Sequence, residues 1–325
     1  ITAGSGGGGL AFEQYAPAGG LPAYEASTAY LSMILIDLSN MIPSDHFYSE
    51  DHTQVENDAT FTTRVEATIA DQTGDAWLVV GWCATAMDNT SKRPGMQLLK
   101  TTQTGTAAAP AMSYEGEDLT EQLQWWFTNV SQDENATSIT WAVQTRDDAV
   151  HPSTPNDSLG AALFGLRLGA FADSAFASTP ALLETTSTAF TEIQSVAPTL
   201  SAKQPMIGVG SAVFVAESTG RPSYFRMQVD GTTVPNTQPD AYQITSCRSA
   251  DGGDELAMPY ACSFTPGDTT PVVDLDAKKP SSAEYGWSYR DLAIFSLALA
   301  DTHDVIYRPV VKEVYAAGAE VAEGY

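Results

Sequence analysis

Short runs of strand length recur along almost the whole chain, and residues typical of turns separate them. Residues 76–86 (AWLVVGWCATA) are nearly continuously apolar, as in a strand buried on both faces, whereas residues 138–145 alternate apolar with polar side chains. The chain has no long amphipathic helix, no alternation of strands with helices and no internal repeat. This pattern predicts an all-β fold: an antiparallel β-sandwich, and in particular an eight-stranded jelly roll with long inserted loops.

Two pairs of neighbouring runs are predicted to form hairpins. Residues 61–70 and 76–86 are joined by the polar residues 71–75, which suit a tight turn. Near the end of the chain, residues 291–300 and 305–315 form a second pair around a polar turn. We expect this second hairpin to close the sandwich.

Other segments have weaker patterns. Residues 88–112 are rich in Thr, Ala and Gly and are interpreted as a loop, whereas the bulky triplet 125–127 (WWF) favours a strand around it. Pro309 places the last predicted strand at a sheet edge or a bulge, because proline has no N–H to donate. Ile294 is expected in the core, where an unpaired charge would abolish folding.

The composition predicts that the chain has three parts, of which only the central one is a folded domain. Residues 1–28 contain the run ITAGSGGGG and are expected to be a flexible glycine-rich arm, since no strand precedes these glycines to make a phosphate-binding loop. Residues 29–318 are predicted to be the jelly-roll domain, with a surface projection from inserted loops around 215–285. Residues 319–325 form a C-terminal tail.

The charge of the chain is strongly acidic. It contains 40 acidic and 15 basic residues, for a formal net charge of −25. This balance argues against the chain itself wrapping nucleic acid, because phosphates are neutralised by Lys and Arg. The acidity reflects either solubility in a salty or extracellular setting, or the binding of divalent cations.

Four aspartates are the candidate ligands for such a cation. Asp251 and Asp254 lie in the flexible turn 251–255, and Asp274 and Asp276 share one face of an extended segment. None of these residues has the spacing of a defined calcium loop. They are either solvated acids or part of a metal site.

Cysteines and catalytic motifs give little sign of other chemistry. Cys83 lies in an apolar run and is interpreted as a small core residue, while Cys247 and Cys262 are able to pair, which the sequence leaves open. The chain has no GxSxG, HExxH or P-loop motif and no Cys/His cluster, so no enzymatic activity is predicted. No window approaches the roughly 18 apolar residues of a membrane span.

The order of these parts resembles the jelly-roll capsid proteins of small icosahedral viruses, in particular the nodavirus-like group. A glycine-rich arm leads into the sandwich, and the matching residues at the end are 291–294 (DLAI) and 310–315 (VVKEVY). The resemblance implies a major capsid subunit that self-assembles into an icosahedral shell around the genome in the virion. It also implies cations shared between subunits, so that Asp251, Asp254, Asp274 and Asp276 would be half-sites for Ca²⁺.

The resemblance further implies two other partners. Capsid proteins of this group bind the genome through a strongly basic N-terminal arm, which this sequence lacks. We therefore expect a segment rich in Lys and Arg upstream of Ile1, and a receptor on the host cell surface.

A second hypothesis is an extracellular β-sandwich that binds carbohydrate or a cell surface. Its binding residues would be exposed aromatic side chains, for which Trp125, Trp126, Tyr224 and Tyr260 are the candidates. Particle size separates the two hypotheses, because a capsid subunit forms closed shells and a binding module stays a monomer or small oligomer.

Overall fold

The structure, a computed structural model, describes most of the chain between residues 41 and 296. The described residues are 29–31, 41–70, 74, 76–86, 94–102, 105–113, 122–132, 137–147, 157–185, 187–216, 224–234, 255–278, 285–296 and 314–316. They form strands and two 3₁₀ helices of three residues each, Pro43–Asp45 and Leu168–Ala170. In the described part of the chain, no helix has the length and apolar character that a membrane crossing requires.

Twenty strands are present in the described residues. In chain order they are β1 (Ala29–Leu31), β2 (His46–Asp51), β3 (Val55–Glu56), β4 (Thr62–Ala70), β5 (Ala76–Ala86), β6 (Gly95–Thr102), β7 (Gly105–Ser113), β8 (Gln122–Gln132), β9 (Ser138–Arg146), β10 (Asp157–Arg167), β11 (Ser174–Thr179), β12 (Leu183–Thr185), β13 (Thr191–Val196), β14 (Met206–Ala216), β15 (Tyr224–Val229), β16 (Thr232–Val234), β17 (Glu255–Phe264), β18 (Val273–Lys278), β19 (Tyr285–Ser296) and β20 (Val314–Ala316). Strands β1 and β20 pair antiparallel as a small sheet in a unit of their own.

The first eight long strands form a complete jelly roll, which we call the N-terminal roll. One sheet has the order β2-β10-β5-β8, and the other has the order β4-β9-β6-β7. If the eight strands are lettered B to I along the chain, these orders are B-I-D-G and C-H-E-F, the arrangement of two interlocked Greek keys. The short strand β3 adds to β10 in the first sheet.

The same arrangement then occurs a second time, in what we call the C-terminal roll. Its sheets have the orders β11-β19-β14-β17 and β13-β18-β15-β16, which are again B-I-D-G and C-H-E-F, and β12 adds to β19. Strand β17 also pairs with β7 through Glu255 and Ser113. One sheet of nine strands therefore continues from the N-terminal roll into the C-terminal roll.

Side chains fill the interior of each roll. In the N-terminal roll, Ile139, Trp141 and Val143 alternate along β9 with side chains of the opposite face, and all three are fully buried. They pack with Trp77 of β5 and Leu98 of β6 in one apolar cluster. Because buried aromatic residues remove large apolar areas from water, these contacts dominate the stability of the roll.

The interior of the C-terminal roll is built on the same principle with different residues. Phe214 and Trp287 pack with ring centroids 5.2 Å apart, and Leu275 of the opposite sheet belongs to the same cluster. A Cβ atom on Gly210 would lie 2.7 Å from Leu275 Cδ1. Glycine at this position therefore allows the two sheets to approach each other closely.

A short connection joins the rolls and is held by hydrogen bonds. It follows β10 as the 3₁₀ helix Leu168–Ala170 and leads to Asp173, whose carboxylate accepts bonds from the Ser201 N–H (2.8 Å) and hydroxyl (2.7 Å). The Ser296 N–H donates to the Asp173 carbonyl at 2.8 Å. Phe171 stacks against Phe295 at 4.6 Å, so the connection is packed onto the end of β19.

The predicted fold class, an antiparallel β-sandwich of jelly-roll type, is confirmed. The sequence pattern predicted one roll with long inserted loops, whereas the structure has sixteen roll strands in two sets of eight. The interpretation of residues 88–112 as a loop is wrong, because β6 and β7 occupy most of it. Strand β7 is rich in Ala, Gly and Thr, so its local propensity for a strand is low and pairing decides its structure.

The first predicted hairpin is wrong in its pairing, and the second is contradicted over the part that is described. Strands β4 and β5 lie in different sheets, because β4 pairs with β9 while β5 pairs with β8 and β10. Within β19, residues 291–295 pair with β11 on one side and β14 on the other, so neither edge of this segment is free for the predicted partner strand. Residues 297–313, which include the predicted turn and Pro309, lie outside the described residues. The expectation that Ile294 lies in the core is confirmed, since its side chain is fully buried.

The predicted arm, tail and projection remain predictions. Residues 1–28 and 319–325 lie outside the described residues. Within the range 215–285, the described strands β15, β16, β17 and β18 belong to the C-terminal roll, and residues 235–254 lie outside the description.

Candidate functional site

The two aspartates predicted on one extended segment lie on β18. Val273, Leu275 and Ala277 point into the C-terminal core, so the alternating Asp274 and Asp276 project from the outer face of the β13-β18-β15-β16 sheet. Asp251 and Asp254 lie outside the described residues. The structure therefore places two of the four candidate ligands side by side and leaves the metal role of all four a prediction.

Asp276 already has a cationic partner. Its Oδ2 atom lies 2.9 Å from both Nε and Nη2 of Arg226, which faces it across the β15–β18 ladder. The Arg226 guanidinium stacks on Phe190 at 4.1 Å from the ring centroid. The guanidinium is fixed by Phe190 and occupies the Oδ2 atom of Asp276. We therefore expect Asp276 to contribute one oxygen at most to a cation.

Asp274 is the less satisfied of the two carboxylates. Its Oδ1 atom is buried and makes no hydrogen bond. Burial raises the pKa of Asp274, the negative charge of Glu192 raises it further, and a bond from the Ser195 hydroxyl partly opposes both effects. A cation or a proton would relieve this crowding. Among the described residues, however, no group of three or more His, Cys, Asp or Glu side chains has the geometry of a metal site.

A second polar cluster, which the sequence analysis did not predict, lies where the two rolls meet. Its members are Thr128 and Asn129 on β8, Ser211 on β14 and Asp291 on β19, all at least nine-tenths buried. Strand β8 is the last strand of its sheet. The Ser211 hydroxyl donates to the Thr128 carbonyl at 3.2 Å, and the two hydroxyl groups are 2.6 Å apart.

Asp291 is the charged member of this cluster. Its side chain is 1 % exposed, and its Oδ2 atom accepts a hydrogen bond of 3.3 Å from the Asn129 amide. Burial raises the pKa of Asp291 to about 7, although the Ser178 hydroxyl, the Val130 N–H and the Asn129 amide all favour the charged form. The Oδ1 atom makes no hydrogen bond of ordinary geometry.

The neighbouring Arg290 does not neutralise Asp291. Its Nη1 atom donates to the Ile193 carbonyl at 2.9 Å and its Nη2 atom to the Ala181 carbonyl at 3.4 Å, on the opposite face of β19. The strand is irregular here, because Tyr289 has φ +44° and the register with β14 shifts. Because successive residues of a strand point to opposite faces, the two adjacent charged side chains lie on different faces of β19.

The sequence contained one signal for this cluster. Asp291 is the first residue of the run DLAIF, and the four residues that follow it are all apolar. Its partners could not be identified from the sequence, because Asn129 is 162 residues away.

The cysteines are placed in the cores. Cys83 and Cys262 are both buried, and Cys262 Sγ lies 3.4 Å from the Met227 sulfur. Cys247 lies outside the described residues.

Comparisons with known proteins give likenesses in structure only. No protein-family model and no curated protein sequence matches the chain. The insecticidal delta-endotoxin Cry8Ea1 of Bacillus thuringiensis is 7 % identical with TM-score 0.27, over 82 % of this chain and 53 % of its own. The tandem CBM22 domains of Paenibacillus barcinonensis Xyn10C are 7 % identical with TM-score 0.24, over 82 % and 98 %. The STIV major capsid protein is 10 % identical with TM-score 0.28, over 75 % and 96 %.

These matches do not decide the function. The chain spans about half the length of the delta-endotoxin it matches. All three TM-scores are below 0.5, and the three proteins have different functions, so the description of the fold depends on the strand order alone.

Proposed function

We propose that the chain is a structural protein, the major capsid subunit of an icosahedral virus, which self-assembles into the shell of the virion. The observation that supports this proposal is the tandem of two complete eight-stranded rolls joined through one nine-stranded sheet. Jelly rolls of this kind occur in viral capsid proteins, lectins and cupins.

The filled interiors favour a structural role over a binding pocket inside a roll. In the described part of the chain, Trp77, Trp141 and Leu98 occupy the centre of the N-terminal roll, and Phe214 and Trp287 occupy that of the C-terminal roll. A ligand inside either roll would have to displace these side chains. The outer faces and edges of the sheets are therefore the surfaces available for contacts with other subunits.

Further parts of the proposal concern partners. Copies of the same chain form the shell, an upstream basic segment binds the viral nucleic acid, and an outer surface binds a host receptor. Calcium ions shared between subunits would be bound by Asp274, with Asp251 and Asp254 as further ligands and Asp276 limited by its pairing with Arg226. Affiliation with the nodavirus-like group remains a prediction.

Particle size tests the proposal directly. We expect purified protein to form closed particles of uniform size in sedimentation and electron microscopy, at mildly acidic pH with calcium. A monomer or small oligomer in acid, in alkali and with or without calcium would contradict the proposal. Binding of that monomer to immobilised polysaccharide would then support the carbohydrate-binding alternative.

A further inference from the structure

The free edge of β8 is covered by side chains of the C-terminal roll. Thr128 and Val130 present backbone groups to the same edge, because alternate residues of a strand point their N–H and C=O groups the same way. Ser211 donates to the Thr128 carbonyl, and the Asp291 carboxyl faces the Val130 N–H. Two side chains thus take the place of a neighbouring strand at this edge.

The carboxyl in this contact has no opposite charge near it. Strands β8, β11 and β14, which surround Asp291, contain no Asp, Glu, His, Lys or Arg. Strand β17 contributes Glu255, an acid at its far end, and β19 itself contributes Arg290, which is bonded to carbonyl groups on the other face. No cation on these five strands therefore compensates Asp291.

The protonation state of Asp291 has opposite consequences in the closed and opened contact. When the rolls are in contact, burial disfavours the charged carboxylate in spite of its three donors, whereas a neutral carboxylic acid can donate to the Ser178 hydroxyl. When the contact opens, water solvates the carboxylate. The closed contact therefore holds a proton that the opened contact releases.

We propose that Asp291 makes the contact between the two rolls sensitive to pH, so that the contact is firm in mild acid and weaker in neutral and alkaline solution. This inference concerns a single chain and does not depend on assembly into a shell. It rests on the burial of Asp291, its position on the free edge of β8 and the absence of charge on the surrounding strands.

The sign and size of the effect follow from proton linkage. The pKa of Asp291 rises from an ordinary value of 3.8 to about 7 in the closed contact. Between these two values, each unit of rising pH weakens the closing equilibrium by up to tenfold, and the loss levels off above pH 7. The full loss is on the order of a thousandfold.

Hydrogen exchange of the full chain tests this proposal. The variant Asp291→Asn keeps the shape of the side chain and removes the charge. At pH 8 we expect exchange of residues 128–130 and 211–213 to be at least about tenfold slower in the variant than in the natural protein. At pH 5 the ratio should be far smaller than at pH 8, because most of the loss occurs between pH 5 and pH 7. Comparing the two proteins at the same pH cancels the pH dependence of the chemical exchange step.

Two further variants make the result decisive. Glu66→Gln removes one charge from an exposed position on β4 and should leave exchange unchanged, provided that sedimentation shows the same assembly state. If Asp291→Asn does not fold, Ser178→Ala should weaken the contact more at pH 8 than at pH 5, because it removes a donor to the carboxylate. A ratio that does not change with pH in the tested variant would overturn the proposal.

Discussion

The two rolls have the same strand order but different outer sheet faces. On the outer face of the N-terminal roll, Gln97 donates to Gln144 at 2.6 Å, and Gln144 donates to Thr63 at 3.0 Å. A Thr68–Thr140 bond of 2.8 Å continues this uncharged ladder. On the corresponding face of the C-terminal roll, by contrast, several ladder residues are ions.

The ions of the C-terminal roll are concentrated on three neighbouring strands. Glu192, Asp274, Asp276 and Arg226 project from β13, β18 and β15. Most inward positions of both rolls are apolar, and these positions specify the fold. One topology therefore tolerates a mostly neutral face and a more highly charged face, because outward side chains contribute little to the choice of fold.

The largest expected effect comes from placing a charge in either core. Leu163→Asp in β10 and Ile294→Asp in β19 each bury a carboxylate at a position that is fully buried. The cost is several kcal/mol against a total stability of about 5–15 kcal/mol, so we expect both variants to unfold. Because the rolls share a sheet, each variant should lose both rolls, as measured by circular dichroism and limited proteolysis.

Matched controls place the same side chain on the surface. Val55→Asp and Val272→Asp change apolar residues that are 37 % and 41 % exposed, and both proteins should fold. A protease-resistant C-terminal roll in Leu163→Asp would show that the two rolls fold independently.

The contrast between the outer faces predicts a second, smaller pair of effects. Arg226→Ala should cost about 3–5 kcal/mol in urea unfolding, because Asp276 is left buried without its partner. Gln144→Ala removes two neutral hydrogen bonds and should cost only about 1–2 kcal/mol.

A double-mutant cycle with Asp276→Asn measures the pairing itself. We expect Arg226→Ala to cost clearly less in the Asp276→Asn background than alone. Equal costs of Arg226→Ala and Gln144→Ala would remove the energetic basis of the contrast between the two faces.

The smallest expected effect concerns Asp274. Its raised pKa means that the charged form is disfavoured in the folded protein, so stability falls as the pH rises above its ordinary value of 3.8. Asp274→Asn should therefore stabilise the protein at pH 8 by less than about 1 kcal/mol, since the side chain is only partly buried. At pH 3 the difference should vanish.

Calcium is the second half of this test. Calcium should raise the melting temperature of the natural protein at pH 8 and have little effect on Asp274→Asn. Assembled particles should swell when a chelator is added in alkaline, low-salt solution. A natural protein with no response to calcium in melting or sedimentation would exclude the cation role.

Strands with a complete local pattern could be predicted from the sequence. Residues 76–86 form a strand with the predicted limits, because their nearly continuous apolar residues leave few alternatives. The alternating residues 138–145 likewise lie within β9. The pairing could not be predicted. In a jelly roll, neighbours in sequence such as β4 and β5 go to different sheets, and the two sets of eight strands have similar local patterns.

The candidate site shows the same division between local and distant information. The alternation of Asp274 and Asp276 with apolar residues was visible in the sequence and placed both on one face. The partner of Asp276 is Arg226, 50 residues earlier, and the strands around Asp291 come from both rolls. Such contacts depend on which distant strands become neighbours, and local propensity does not predict this.

The filled interiors also have an optical consequence. Of the six tryptophans, Trp287 alone belongs to the C-terminal roll, and the other five lie between residues 77 and 141. Intrinsic fluorescence therefore reports almost entirely on the N-terminal roll. In Trp287→Phe the C-terminal roll would contain no tryptophan. Any change in tryptophan emission after a perturbation of the C-terminal roll would then measure how far the disturbance spreads into the N-terminal roll.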